Sequence, residues 1–227
     1  MQQSGRMGFR IVSGVPRPDA GLVEQFRGLA SSNLADAMGR FHFMDPGIQA
    51  RSGVALYGIA VTVCSRPGDN LMVHKAMSVA EPGDIIVVTT NGNTANAVFG
   101  ELMCTSALAA GLGGVVVDGA VRDVEAITAA GFPVYSRSIT PGACDKDGPG
   151  EINVPVSCGN TVVMPGDIVV GDADGVAVIP REEAAGVLER VRSLVEKERR
   201  RIDEIGRGTV FKPAIDKALR NQGVIDE

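Results

Sequence analysis

Tryptophan is missing from this chain of 227 residues, and tyrosine and histidine occur only twice each. With so few aromatics and a formal net charge of −5, the sequence lacks the basic, aromatic-lined surface that grips nucleic acid. The two histidines, His42 and His74, stand far apart, which excludes His-rich zinc constellations. Any metal is therefore held mainly by oxygen, and magnesium, manganese or calcium outrank zinc. Cys64, Cys104, Cys144 and Cys158 share no paired spacing, so each is expected to pack as a small apolar side chain in a reducing compartment. No apolar run approaches the roughly 20 residues that cross a bilayer, so no membrane partner is expected. The stretch Met1 to Arg10 has no apolar segment behind its scattered charges; no signal peptide is expected, and the location expected is the cytoplasm.

What the chain does have is apolar material, 44% of its residues, enough for one large core. Strand and helix patterns alternate without a linker. Asp19 to Leu29 and Asn33 to Met38 read as helices, with Ser31-Ser32 placed to cap the second. Gly58 to Cys64 reads as a strand, followed by the turn Pro67-Gly68-Asp69-Asn70, whose Asp or Asn is placed to cap a helix Leu71 to Val79. Glu81-Pro82-Gly83-Asp84 and Met164-Pro165-Gly166-Asp167 are turns into the strands Ile85 to Thr89 and Ile168 to Val170. Between them lie a helix Gly100 to Ala110, a strand Gly114 to Asp118, a helix Val124 to Ala130 and a strand Val134 to Ser136. The loop Ile139 to Gly150 has the length of a lid or an intersubunit arm. Strands at Ile152 to Ser157 and Val176 to Ile179, and a helix from Arg181 to about Ile205, complete the pattern. The fold class expected is a single-domain, mixed-sheet α/β sandwich with a long C-terminal helix. Residues 1–18 form an N-terminal extension, 19–180 the core and 181–227 a helical arm.

Two places carry chemistry. The apolar strand ending in Gly119-Ala120-Val121-Arg122-Asp123 puts opposite charges at the rim of a sheet, where α/β proteins keep their ligands; a surface ion pair after a turn is the other reading. On the terminal helix, Glu198 falls near the middle of the stripe Val187, Leu188, Val191, Leu194, Val195, Ile202 and Ile205. Either it closes a salt bridge at the core edge, or the helix docks on another surface and presents Glu198 to a site.

Gly100-Glu101-Leu102-Met103, Gly119 to Asp123, Pro67 to Asn70 with Met72-Val73-His74, Gly131-Phe132-Pro133-Val134 and Gly166-Asp167-Ile168 through Asp174-Gly175-Val176 resemble the class II pyruvate aldolases that act on 4-hydroxy-4-methyl-2-oxoglutarate and 4-carboxy-4-hydroxy-2-oxoadipate. The same fold, a swivelling β/β/α sandwich, includes the regulators of ribonuclease activity A. The resemblance spans about residues 20 to 205. It implies that the backbone of Gly100, Glu101, Leu102 and Met103 holds a substrate carboxylate, that Arg122 binds substrate, that Asp123 ligates Mg2+ or Mn2+, and that Glu198 reaches the metal site of a neighbouring subunit. Glu101 stands where aspartate is common in the aldolases, and Asn91 to Ala97 and the tail after Gly208 are atypical. The implied catalytic set is Arg122, Glu101 and Glu198, in a homotrimer or homohexamer with its site at the subunit interface. The implied reaction releases pyruvate from a 4-hydroxy-2-oxo acid, with oxaloacetate decarboxylation as a side reaction. The rival is a ribonuclease regulator that binds a protein partner, a class that lacks the Glu198 equivalent.

Overall fold

A computed structural model describes residues 1–225. The chain opens with β1 (Gln2–Arg6), β2 (Phe9–Ser13), α1 (Ala20–Glu24), α2 (Ser31–Ala37) and β3 (Gln49–Ala50). The centre comprises β4 (Leu56–Ser65), α3 (Leu71–Met77), β5 (Ile85–Phe99), α4 (Glu101–Ala109), β6 (Gly114–Val121), α5 (Val124–Ala130) and β7 (Val134–Ile139). Then follow β8 (Gly150–Ile152), β9 (Val156–Cys158), β10 (Thr161–Val163), β11 (Ile168–Gly171), β12 (Val176–Ile179), α6 (Ala184–Gly206) and α7 (Pro213–Asn221).

The centre of the sheet is parallel, β4, β5, β6 and β7 lying side by side. Beyond β4 the sheet divides: β11 pairs antiparallel with Leu56–Ile59, and β8 with Val63–Ser65. This is the mixed sheet the sequence leads one to expect. Alternation along the strands builds two cores at once. Ile86, Val88, Val115 and Val117 face α3, α4 and α5, while Ile85, Val87 and Val116 face the opposite layer with β9 and Tyr135. Because both faces are covered, β5 and β6 read as unbroken apolar runs. Each of these side chains contributes roughly 1.5–3 kcal/mol by leaving water. A third core packs α1, α2 and the first half of α6 on β11 and β12.

Several expectations need correction. The first helix stops at Glu24 and continues as turns to Gly28, whose φ of +73° ends it. The second begins at Ser31, and neither serine caps it: the Ser31 N–H and Oγ both donate to the Asp172 carboxylate, at 2.8 and 2.6 Å, so the cap comes from a distant loop. Asn153, at φ +58°, divides the expected strand 152–157 into β8 and β9. The strand placed at Ile85 to Thr89 runs on to Phe99 through a bulged polar stretch. Residues 1–18 hold a hairpin whose β2 pairs with β8, and the tail after Gly208 contains α7.

Candidate functional site

β5 and β6 end side by side, with Phe99 opposite Val121. Each strand then turns directly into a helix, so α4 and α5 start next to one another at the carboxyl edge of the parallel sheet, where ligands bind in α/β folds. The Arg122 N–H donates to Phe99 O at 3.0 Å, locking one turn to the other. The first N–H groups of a helix have no intrahelical acceptor. Asp123 Oδ2 accepts that of Glu101 at 3.1 Å, which ties the carboxylate to the positive end of α4. The N–H groups of Leu102 and Met103 follow in the same turn. Arg122 Nε lies 3.4 Å from Asp123 Oδ2, with both side chains about 40% exposed (43% and 40%). The geometry therefore gathers Gly100, Glu101, Leu102, Met103, Arg122 and Asp123 into one place.

Two backbone features show how tightly that place is built. A Cβ on Gly100 would lie 2.6 Å from Asp123 Oδ2 and 3.0 Å from Arg122 Cγ, so only glycine allows the two charged side chains to lie over this turn. Asp123 itself is in the left-handed region, φ +59° and ψ +38°, which costs a residue with a Cβ about 1 kcal/mol or more. Strain of this kind collects at ligand sites.

Asn70, which the sequence offers as a possible helix cap, lies beside the first turn of α4. The chain contains Pro-Gly-Asp three times, at 67–69, 82–84 and 165–167. Each is a turn with its glycine at positive φ (+79°, +87° and +91°) and its aspartate N–H donating to the carbonyl three residues back. In the second and third turns the buried aspartate also accepts an N–H of its own turn, Asp84 from Glu81 and Asp167 from Met164, both at 2.8 Å. The next residue is a core isoleucine, Ile85 or Ile168. In the first turn that position holds Asn70, only 7% exposed. Its Nδ2 donates to Val98 O at 3.2 Å and contacts Met103 Sδ at 3.7 Å, which sets the amide between the end of β5 and the first turn of α4. Its buried Oδ1 has no hydrogen-bond partner among the described residues. An unpaired buried acceptor costs about 1–3 kcal/mol, and a donor on a ligand would remove that cost. Asparagine where its two counterparts carry isoleucine was the signal available in the sequence.

Nearby, burial and then the Lys146 charge hold the His74 imidazole below its ordinary pKa, so it is neutral at neutral pH. Burial pushes the Cys144 thiol up, as do Asp69 and Asp145, against Lys146 and Arg122. The loop 140–149 is no free lid. Ala97 N–H donates to Gly142 O, Asn96 Nδ2 to Ala143 O, and Asp145 N–H to Gly68 O, all at 2.8 Å.

Residues 31–178 match the family described as RraA-like, Aldolase/RraA. The chain belongs to that family. A relative from Halalkalibacterium halodurans, named "Putative 4-hydroxy-4-methyl-2-oxoglutarate aldolase", is 40% identical over 171 residues, covering 75% of this chain and 81% of its own. A relative from Thermus thermophilus, named 4-hydroxy-4-methyl-2-oxoglutarate aldolase, is 33% identical over 52% of this chain and 72% of its own. Among solved structures, Streptomyces coelicolor RraAS2, described as an unusual member of the RNase ES inhibitor RraA family, superposes with a TM-score of 0.73 at 27% identity, over 86% of this chain and 99% of that one.

In this RraA-like chain Glu198 is not brought to Arg122 and Asp123. It is exposed on the distal half of α6, and its Oε2 accepts from Asn33 Nδ2 on α2 at 2.7 Å. Of the helix stripe, Val187, Leu188 and Val191 are buried, while Val195, Ile202 and Ile205 are 42%, 68% and 45% exposed. No group of three His, Cys, Asp or Glu side chains able to hold a metal forms among the described residues. Asp123 thus offers one partly exposed carboxylate. That suits a hard ion such as Mg2+ or Mn2+, which keeps much of its water, and does not suit a closed zinc site.

Proposed function

We propose that this protein is a divalent-metal-dependent lyase that cleaves a 4-hydroxy-2-oxo acid, such as 4-hydroxy-4-methyl-2-oxoglutarate or 4-carboxy-4-hydroxy-2-oxoadipate, to release pyruvate. The observation that carries the reading is the packing of Arg122 and a strained Asp123 over Gly100 at the start of α4. The aldolase names of its relatives supply the substrate class.

The reaction needs the 4-hydroxyl proton removed and the C3–C4 bond broken, with its electrons moving to the C2 carbonyl as an enolate; a proton returned to C3 completes pyruvate. Negative charge builds on one oxygen, and fixed donors aimed there lower the barrier most. The Arg122 guanidinium donates to that oxygen and to the neighbouring carboxylate. The N–H groups of Leu102 and Met103 hold the carboxylate end. Asn70 Oδ1 accepts from the substrate hydroxyl. Asp123 would hold Mg2+ or Mn2+, which would supply Lewis acidity to the 2-oxo group, and Glu101 would act through water at the same place. Oxaloacetate, losing carbon dioxide through the same enolate, is the side substrate.

Glu198 completes the site from a second copy, in a trimer or a pair of trimers. The exposed distal stripe of α6 supports this, since Val195, Ile202 and Ile205 are left largely uncovered by the described residues of their own chain. The rival reading, a regulator that binds a protein, draws on the description of the Streptomyces structure. Pyruvate release from the two branched acids and from oxaloacetate separates the two readings. Turnover of at least one branched acid is expected; no pyruvate from any of the three would leave the regulator.

A further inference from the structure

The hairpin of β1 and β2 is fastened to the sheet beside the loop 140–149. All five residues of β1 are exposed, and β2 joins the body through three pairs with β8, from Phe9 opposite Gly150 to Ile11 opposite Ile152. A two-stranded hairpin is marginal in water by itself. Glu151, the middle residue of β8, supplies the fixture: its Oε2 accepts from Arg10 Nη2 at 2.6 Å and Nε at 3.2 Å, and its Oε1 accepts the Gly8 N–H at 2.7 Å. The pair is largely covered, 28% exposed at Arg10 and 13% at Glu151, so solvent screens it less than a surface bridge. The Gly150 N–H donates to Gly8 O at 2.7 Å, and the Phe9 ring fills the space that a Cβ on Gly148 would need. Gly148 and Asp147 in turn donate their N–H groups to the buried Oδ2 of Asp69, at 2.8 Å each. The loop that ends here begins at the candidate site. Thr140 N–H donates to Val121 O at 3.0 Å, one residue before Arg122, and Asn70 N–H donates to Asp145 O at 3.0 Å. Residues 140–149 therefore run from the strand that carries Arg122 to the turn that carries Asn70, and the hairpin grips their far end.

We propose that this hairpin is a strap for the substrate site, and that Arg10, acting through Glu151, is a positioning residue that holds the loop 140–149 against Asn70. Neither Arg10 nor Glu151 touches substrate. β8 is only three residues long, and a segment held by so few bonds opens locally at small cost. Arg10 and Gly8 grip its middle side chain, which sets a charge-assisted clamp where the loop would otherwise fray. The clamp keeps the Asp147 and Gly148 amides on Asp69, and with them the Asp145 carbonyl on the Asn70 amide. Without it Asn70 loses a backbone anchor, and the side of the cleft assigned to the substrate hydroxyl loosens. The identity of the substrate rests on the lyase reading, and the holding of the loop does not.

Amide hydrogen exchange and steady-state kinetics test the two halves of the proposal. In wild type the Asp147, Gly148 and Gly150 amides should be protected. In Arg10→Met their exchange should quicken by about tenfold or more, the value of one charge-assisted hydrogen bond, while the amides of β5 and β6 exchange as in wild type. Arg10→Lys, which keeps one ion pair with Glu151, should restore most of the protection. Glu151→Gln should copy Arg10→Met, and the double variant should be no worse than either single one. With 4-hydroxy-4-methyl-2-oxoglutarate, KM should rise about fivefold or more in Arg10→Met while kcat stays within about twofold, a split that a loss of overall stability does not produce. Phe9→Ala leaves the ion pair in place and serves as the milder variant should Arg10→Met not fold; its faster exchange should centre on Gly148. If wild type releases no pyruvate, the lyase reading fails while exchange still decides whether Arg10 holds the loop. Unchanged exchange of the three amides, or faster exchange spread equally over β5 and β6, overturns the strap. An unchanged KM in an active protein whose loop has loosened overturns the positioning role.

Discussion

At Gly100 one hydrogen atom separates an assembled site from a blocked one. A methyl group there would meet Asp123 Oδ2 at 2.6 Å, closer than real Cβ contacts come. Gly100→Ala should therefore lower turnover by more than about tenfold, a barrier change of roughly 1.4 kcal/mol, while circular dichroism stays that of wild type. Near-normal rates would mean that Arg122 and Asp123 move without consequence. Arg122→Lys should lose a similar factor in pyruvate release, because an ammonium lacks the fixed fork. The carboxylates give a pH signature. Arg137 holds Asp45 below the usual carboxylate range. Burial would raise Asp69 and Asp172, but the amides around Asp69 and the Ser31, Asp174 and Gly175 groups around Asp172 outweigh it and hold both low. A depressed folded-state pKa stabilises above the unfolded value of about 4 and is lost as pH falls through the folded value. Asp167, raised by burial, works in the opposite direction. Three against one, the urea midpoint should fall between pH 6 and pH 3; a flat midpoint would contradict these pairings.

The elements divide by how they are held. α5 was legible residue for residue, although Ile127 alone of its residues is buried, and β6 was legible over Gly114 to Asp118, in a strand that is buried throughout. β1 escaped notice because all five of its residues are exposed and only its ladder to β2 holds it. Arg122 and Asp123 could be found because a charged pair breaks an apolar run. Asn70 could not be found as a cap, since Asp69 performs that job; its role shows only when three like turns are compared. α6 contains both kinds of segment in one helix. Val191→Ala, in the buried half, should cost about 2 kcal/mol by urea unfolding. Ile202→Asp, in the exposed half, should leave the stability of the isolated chain within about 0.5 kcal/mol and reduce the assembled mass in sedimentation. Unaltered mass would show that the distal stripe is not an interface.

The whole molecule combines a site at the carboxyl edge of the sheet with a helix whose distal half leaves its own core. No helix among the described residues is long and apolar enough to cross a membrane, and the distal stripe of α6 is left largely bare by the described residues of its own chain. Co-expressed Arg122→Ala and Glu198→Ala chains, each inactive alone, should recover activity in mixed assemblies, where an intact Arg122 meets an intact Glu198. Inactive hybrids that nonetheless assemble would confine each site to one chain. The central claim is that Asp123 makes this a metal-dependent pyruvate lyase. Its most direct test strips the protein with chelator and titrates magnesium or manganese back while following pyruvate from 4-hydroxy-4-methyl-2-oxoglutarate. Wild type should fall silent and recover with metal, and Asp123→Ala should stay silent at every concentration; metal-independent turnover, or recovery by Asp123→Ala, would contradict the account.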